Sequence, residues 1–295
     1  MSSLHAPITA WYDAFARDLP WRRPESSPWA VMVSEFMLQQ TPVARVLPVW
    51  EAWMQRWPAP ADLGAEPIGE AVRAWGRLGY PRRALRLHAS AVAITERYAG
   101  QVPSTYDELI ELPGVGDYTA SAIASWCFNA RHVVLDTNVR RVFARAVAGV
   151  EFPATSVTKA ERMVAVELLA AVPGAGSDAD EAAHWNIAVM ELGALVCTAA
   201  DPKCGACPVN DQCRWLADGK PAHAGPPRKG QTWAGTDRQV RGRLMAVLRD
   251  SDAPVHRSRL DVVWPDGAQR DRALAGLLTD GLAEQVGPDR FALPS

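Results

Sequence analysis

Four cysteines, Cys197, Cys204, Cys207 and Cys213, are separated by six, two and five residues, the densest group of soft ligands in the chain. Thiolates in such a group bind iron-sulfur clusters or zinc. A zinc ribbon normally presents two separated C-x-x-C knuckles, whereas this segment has one tight pair with outlying partners. That asymmetry points to a 4Fe-4S cluster, with a structural zinc ion as the alternative. The fifth cysteine, Cys127, sits in an apolar helical stretch and reads as a buried thiol. Two acids stand in unlike surroundings. Glu35 is the only charged residue between Trp29 and Thr41. A carboxyl desolvated by such neighbours keeps its proton and can act as an acid, although a paired or solvent-facing glutamate is commoner. Asp136 follows an apolar stretch, His132 to Leu135, and opens a helix from Asn138. There an aspartate caps the helix and stays ionised. One protonated and one charged carboxyl together suit cleavage of a glycosidic bond.

A third group handles phosphate. Leu112-Pro113-Gly114-Val115-Gly116 follows a short helix opened by a capping box, Thr105 to Glu108, and precedes a second helix near Asp117. Proline stops the first helix, and the glycines let the backbone turn tightly and offer free N–H groups at the positive end of the next. Such a helix-hairpin-helix holds one phosphate without regard to sequence; an ordinary tight turn is the alternative.

These groups must be positioned by helices. Apolar residues recur at helical steps over 6–18, 29–40, 43–57, 68–78, 83–98, 106–112, 118–128, 138–147 and 158–171. Trp50, Trp53 and Trp57 lie on one helix face and read as core. The expected fold is all-α: a helix-hairpin-helix core over residues 1–216, a Gly/Pro/Ala-rich linker over 217–236, and a small unit over 237–295. In that last unit, three helices (237–250, 258–264, 266–280) and a hairpin (282–286 with 290–293) suggest a winged helix. Net charge is -2, so any nucleic-acid site must be a local patch. Residues 1–9 lack a signal-peptide pattern and no apolar run spans a bilayer, which predicts a cytoplasmic protein without membrane contact.

With these residues in view, the chain resembles the adenine DNA glycosylases of the helix-hairpin-helix superfamily that also holds endonuclease III. The resemblance covers about residues 7–216. It rests on L-P-W-R at 19–22, S-E-F-M-L-Q-Q-T at 34–41, L-G-Y at 78–80, L-P-G-V-G-D-Y-T-A at 112–120, D-T-N-V-R-R-V at 136–142 and E-L-G-A-L-V-C at 191–197. It implies a two-lobed core carrying a 4Fe-4S cluster, a monomer that associates with the nucleoid, and a double-stranded DNA substrate with adenine mispaired with 8-oxoguanine or guanine. Glu35 would protonate the adenine and Asp136 would stabilise the oxocarbenium ion, supported by Tyr118 and Asn138. Gln40 and Tyr80 would wedge into the duplex, and Thr41 and Leu78 would touch the base opposite. Gly114, Val115 and Gly116 would grip the backbone, and Lys203 would contact a phosphate from the cluster loop. Arg22, Arg23, Arg82, Arg83, Arg86, Arg140, Arg141 and Arg145 flank these motifs and would give a locally positive face.

Tyr118 stands where the strand-nicking relatives carry a Schiff-base lysine, so simple hydrolysis is expected. The target base has to be rotated out of the duplex. Two features depart from the family pattern. Ile187 occupies a position where the family often has Gln or Glu facing the adenine, and the tail is much shorter than the family's strand-rich C-terminal domain. Seven arginines of that tail, at 238, 241, 243, 257, 259, 270 and 272, could follow phosphates or form a solvated face. The alternatives are a thymine-mismatch or endonuclease III-like glycosylase and, in another class, a damage-sensing module that breaks no bond; the presence of both acids speaks against the last.

Overall fold

The computed structural model describes residues 4–177, 181–225 and 233–295 and is mostly helical. The helices run α1 (His5–Phe15), α2 (Pro28–Leu38), α3 (Val43–Arg56), α4 (Pro60–Gly64), α5 (Ile68–Trp75), α6 (Arg82–Arg97), α7 (Tyr106–Ile110) and α8 (Asp117–Phe128). They continue with α9 (Thr137–Phe143), α10 (Lys159–Ala170), α11 (Ala182–Leu195), α12 (Arg214–Ala217), α13 (Asp237–Arg249), α14 (Arg257–Asp261) and α15 (Gly267–Thr279). Three short strands, β1 (Val255–His256), β2 (Glu284–Gly287) and β3 (Arg290–Ala292), form an antiparallel sheet in the order β1-β3-β2. Most predicted helices fall within a few residues of these bounds. Helix α9 ends at Phe143 and gives way to a π-type turn over 144–148, and α4 and β1 escape the periodicity because five and two residues carry too little pattern.

The chain divides into two compact units. The first comprises residues 1–26, 104–111 and 115–227. Its core joins Ile8 of α1, Val139 and Phe143 of α9, and Trp185, Val189 and Leu192 of α11. Helix α11 was not among the predicted periodic segments. It is apolar on nearly every side because it runs through the middle of this unit, and such burial erases a one-sided pattern.

The second unit comprises residues 27–103, 112–114 and 228–295. As the spacing predicts, Trp50, Trp53 and Trp57 are buried, and Trp53 packs edge-on to both Trp57 and Trp75. The buried indole N–H groups of this core find oxygen partners: Trp29 donates to Trp57 O, Trp50 to Ala30 O, Trp53 to Ala74 O, Trp75 to Gly79 O, and Trp57 to the Glu66 carboxylate. These bonds let large rings fill a core without stranding a donor. Residues 237–295 supply the three predicted helices and hairpin to this unit, with β1 added as a third strand. The predicted linker, 217–236, includes 226–232, which lie outside the described residues.

Candidate active site

In the second unit, Ser27 caps α2 by accepting the Ala30 N–H, and Pro28 starts the helix. Every residue from Trp29 to Met37 is buried. Glu35 is 3% exposed, so the desolvated surroundings expected from its neighbours are present. The end of α2 is held by Arg83, a residue expected on the positive outer face and found inside instead. Its guanidinium donates to the carbonyls of Phe36 (2.8 Å), Met37 (3.1 Å), Gln39 (2.5 Å) and Gly79 (3.1 Å) and to the Thr41 hydroxyl (3.1 Å). Burial pushes this guanidinium down to about 10. One side chain thereby closes the carbonyl end of the helix that carries Glu35.

Just beyond, Gln40 and Tyr80 both adopt left-handed backbone, with φ of 56° and 48°. For residues with a Cβ this costs about 1–3 kcal/mol each, and such strain collects at functional positions. Gln40, Leu78 and Tyr80 line a common cavity. Leu78 and Thr41 are themselves buried, and the Thr41 hydroxyl also donates to Leu78 O at 3.2 Å. Tyr80 is 40% exposed.

In the first unit, Asp136 caps α9 as predicted. Its Oδ1 accepts the Val139 N–H at 2.6 Å, and Oδ2 accepts from Asn138 Nδ2 at 2.7 Å. Burial raises this carboxyl above the usual aspartate value, against the downward pull of Val139, Asn138 and Arg141. Arg141 Nη2 donates both to Asn138 Oδ1 at 2.8 Å and to Gly193 O at 2.6 Å. Gly193 has a steric reason to be glycine: a Cβ there would lie 2.7 Å from the Asn138 Cβ and 2.8 Å from its carbonyl oxygen. The α9–α11 approach that orients Asn138 therefore depends on a missing side chain. Tyr118, on the first turn of α8, points its hydroxyl at Met190 Sδ, 3.8 Å away.

Arg141 also donates from Nε to Cys197 O at 2.6 Å, tying the Asp136 end of α9 to the cysteine segment. Cys197, Cys204, Cys207 and Cys213 line one small pocket of about 30 Å³ together with Arg145 and Trp215. Burial, then the neighbouring cysteines, push the Cys207 thiol up to about 11, and the same causes raise Cys213. Arg145 directs Nη1 at the Cys197 sulfur (3.4 Å) and at Thr198 O (2.7 Å). Among the described residues, no His, Cys, Asp or Glu group is drawn together tightly enough to hold a single metal ion. Cys127 is half-buried.

The predicted hairpin separates α7 and α8. Gly114 has φ of 80°, and a Cβ there would strike Arg86, so glycine is required twice over. Val115 is buried, while Gly116 is exposed and stands as the residue before α8. The capping box is half realised: the Thr105 hydroxyl accepts the Glu108 N–H and also donates to the Glu108 carboxylate.

Arg22 and Arg140, expected as DNA contacts, each pair with a carboxylate of the protein. Arg22 donates to Glu191 Oε2 at 2.8 Å, and Arg140 to Glu161 Oε2 at 2.9 Å and to the carbonyls of Ala154 and Ser156. Arg145 and Arg141 are likewise buried on carbonyls. Lys203 is exposed. The residue missed in the sequence is Glu191. Its carboxylate is fully buried and takes a bidentate grip from Arg17 (2.7 and 2.6 Å) besides the bond from Arg22. Burial opposes the charge, but the hydrogen bonds from Arg17 and Arg22 prevail and hold the carboxyl at about 2. Only its place as the one acidic residue of α11 could have marked it.

Residues 33–167 match the family model described as HhH-GPD superfamily base excision DNA repair protein. The chain is 52% identical over 294 residues to an adenine DNA glycosylase of Mycolicibacterium smegmatis, covering 99% of this chain and 97% of the relative. It is 50% identical over 289 residues to an adenine DNA glycosylase of Mycobacterium tuberculosis, covering 97% and 92%. Among solved structures, a thermostable thymine-DNA glycosylase aligns with a TM-score of 0.62 at 24% identity, over 72% of this chain and 94% of the other.

Proposed function

The chain belongs to the adenine DNA glycosylase family of base excision repair, and we propose that its substrate is double-stranded DNA in which adenine faces 8-oxoguanine or guanine. The activity is hydrolysis of an N-glycosidic bond. The observation that carries this reading is identity of half the residues across nearly the whole of two relatives, tail included.

In the proposed chemistry, the adenine is rotated out of the duplex. Glu35, buried in α2, donates its proton to the adenine ring so that the base can leave as a neutral molecule. The Asp136 carboxylate offsets the positive charge that develops on the deoxyribose. Water adds its hydroxyl to the sugar carbon as the bond to nitrogen breaks, and its remaining proton restores Glu35. The products are free adenine and an abasic site. Asn138, oriented by Arg141, positions the Asp136 carboxylate. Tyr118 has no amine with which to form a Schiff base, so the strand is left intact. The exposed Gly116 end of the hairpin and Lys203 are suited to phosphates.

The four cysteines fit a 4Fe-4S cluster better than zinc. They line one pocket, and the burial that raises the Cys207 and Cys213 thiols calls for a cationic group to stabilise the thiolates. A lone zinc ion would draw the sulfurs to about 2.3 Å from a single point. The cluster would brace the loop between α11 and α12. Residues 237–295 form, on this reading, a winged-helix-like module, and the protein acts as a monomer. Among the described residues no helix is long and apolar enough to cross a membrane.

Duplexes carrying adenine opposite 8-oxoguanine, adenine opposite guanine, or thymine opposite guanine, incubated with the protein and then treated with alkali, test this function. Strand breaks are expected only after alkali and only in the adenine duplexes. Breaks without alkali would reveal a lyase, and cleavage confined to thymine would overturn the assigned base.

A further inference from the structure

In a winged helix the last helix of the helix-turn-helix ordinarily enters the major groove. Here that helix is α15, and both of its arginines are neutralised within the module. Arg270 pairs with Asp261 at 3.0 Å and also donates to its carbonyl oxygen, and Arg272 pairs with Asp237 at 2.9 Å. The first helix, α13, is different. With the segments Gln39–Arg45 and Gly76–Arg86 it walls a cavity of about 1180 Å³ in which, among the described lining residues, nine are arginines and one, Asp280, is an acid. Asp280 is shared by Arg241 and Arg82. Arg45, Arg77, Arg86, Arg238 and Arg243 are exposed. On a chain of net charge -2 this is a strong local concentration of positive charge.

Aromatic rings are interleaved with the cations. Arg238 lies 4.4 Å over the ring of Tyr80 and 5.7 Å from that of Trp233, which is 52% exposed. Arg83 backs the same tyrosine from the buried side at 5.4 Å. Two bonds couple α13 to the end of α5: Arg249 donates to Gly76 O, and Arg73 to Arg249 O. The volume exceeds the roughly 300–1,000 Å³ of ordinary small-ligand pockets, as suits a stretch of polymer. Guanidinium groups beside π faces are the chemistry that holds single-stranded nucleic acid, with cations on the phosphates and rings under the bases.

We infer that the C-terminal module grips DNA through α13 instead of α15, and that the arginine-walled cavity takes phosphodiesters and one unstacked base of a DNA strand. The inference rests on the reading of the chain as a DNA glycosylase. Its test requires no catalysis. Fluorescence anisotropy of the full-length protein with a duplex bearing a stable tetrahydrofuran abasic analogue opposite guanine gives Kd as a function of salt. Arg77→Ala, Arg238→Ala and Arg243→Ala should each weaken binding and reduce the slope of log Kd against log salt by about 0.9, the value for one lost phosphate contact. Arg270→Ala and Arg272→Ala should leave the slope unchanged. Arg238→Lys should keep the slope and still raise Kd, because charge is retained while stacking is lost.

Thermal melting of each variant identifies any that fail to fold, and the exposed positions 77, 238 and 243 decide the matter between them. A reduced slope in either α15 variant, or an unchanged slope in all three cavity variants, overturns the inference. If the unsubstituted protein excises no adenine but the slopes behave as stated, the proposed function fails and the cavity stands. If it excises adenine and the cavity variants bind normally, only the cavity inference falls.

Discussion

Helices α2 and α11 invite comparison because each is buried along most of its length and each carries one glutamate among apolar residues: Glu35, 3% exposed, and Glu191, wholly buried. Around Glu191 two guanidiniums converge on the carboxylate itself. Beside α2, the buried guanidinium of Arg83 turns to the last carbonyls of the helix. A cation placed on the carboxylate makes an anionic strut; a cation placed on the helix end fixes the backbone that presents the acid. Burial by itself does not tell a working acid from a structural one.

The sharpest way to break the comparison is to neutralise each acid in turn. Glu35→Gln should lower single-turnover adenine excision by about 10²–10⁴-fold, the usual worth of a general acid, while melting temperature and duplex affinity stay near those of the parent. Glu191→Gln should do the reverse. It leaves Arg17 and Arg22 facing a neutral amide in a buried site, a loss of about 3–5 kcal/mol measurable by urea unfolding, with excision per folded molecule largely kept. Exchanged phenotypes would refute the assignment of strut and acid.

Acidification separates the same two kinds of carboxyl more finely. Glu191 is held at about 2, below an ordinary glutamate, so its contribution is present above pH ~4.5 and disappears as pH falls towards 2. The span corresponds to about 3 kcal/mol. Glu191→Gln should remove that part of the acid limb of an unfolding-versus-pH curve. Asp136 has the opposite sign, since burial raises its carboxyl and folding is relieved of a cost when it protonates. Asp136→Asn should therefore not destabilise the protein, as asparagine caps helices equally well, yet should depress excision.

The smallest expected effect concerns the contact that joins α11 to Asn138. Gly193→Ala places a methyl group 2.7 Å from the Asn138 Cβ and should cost about 1–3 kcal/mol of stability from overpacking. It should reduce the excision rate further than Tm predicts, because Asn138 donates to Asp136. An activity loss no greater than the loss of folded protein would show that Asn138 tolerates displacement.

Much of the helical frame was legible because amphipathic surface helices such as α3 and α6 carry their burial in their periodicity, and Pro113 and Gly114 mark a turn by backbone constraint. The cap at Asp136 was legible for the same local reason. Helix α11 was not, since a helix buried on all sides has no polar face to reveal its period. The arginines were the least legible. Arg22, Arg83 and Arg140 occur beside the motifs just as Arg77 and Arg86 do, and nothing in residue type tells a guanidinium turned inward onto carbonyls from one left at the surface.

By itself the sequence determined which groups this protein owns: four closely spaced thiols, a lone acid in an apolar helix, a capping aspartate and a glycine turn, all set by the short-range chemistry of neighbouring residues. Tertiary structure alone decided what each charge does. Whether an arginine meets a carboxylate 169 residues away, as Arg22 meets Glu191, or remains exposed at the wall of a cavity depends on which distant segments fold against it. Burial turns that difference into the distinction between a strut and a binding site, because a charge removed from water must find its partner inside the protein.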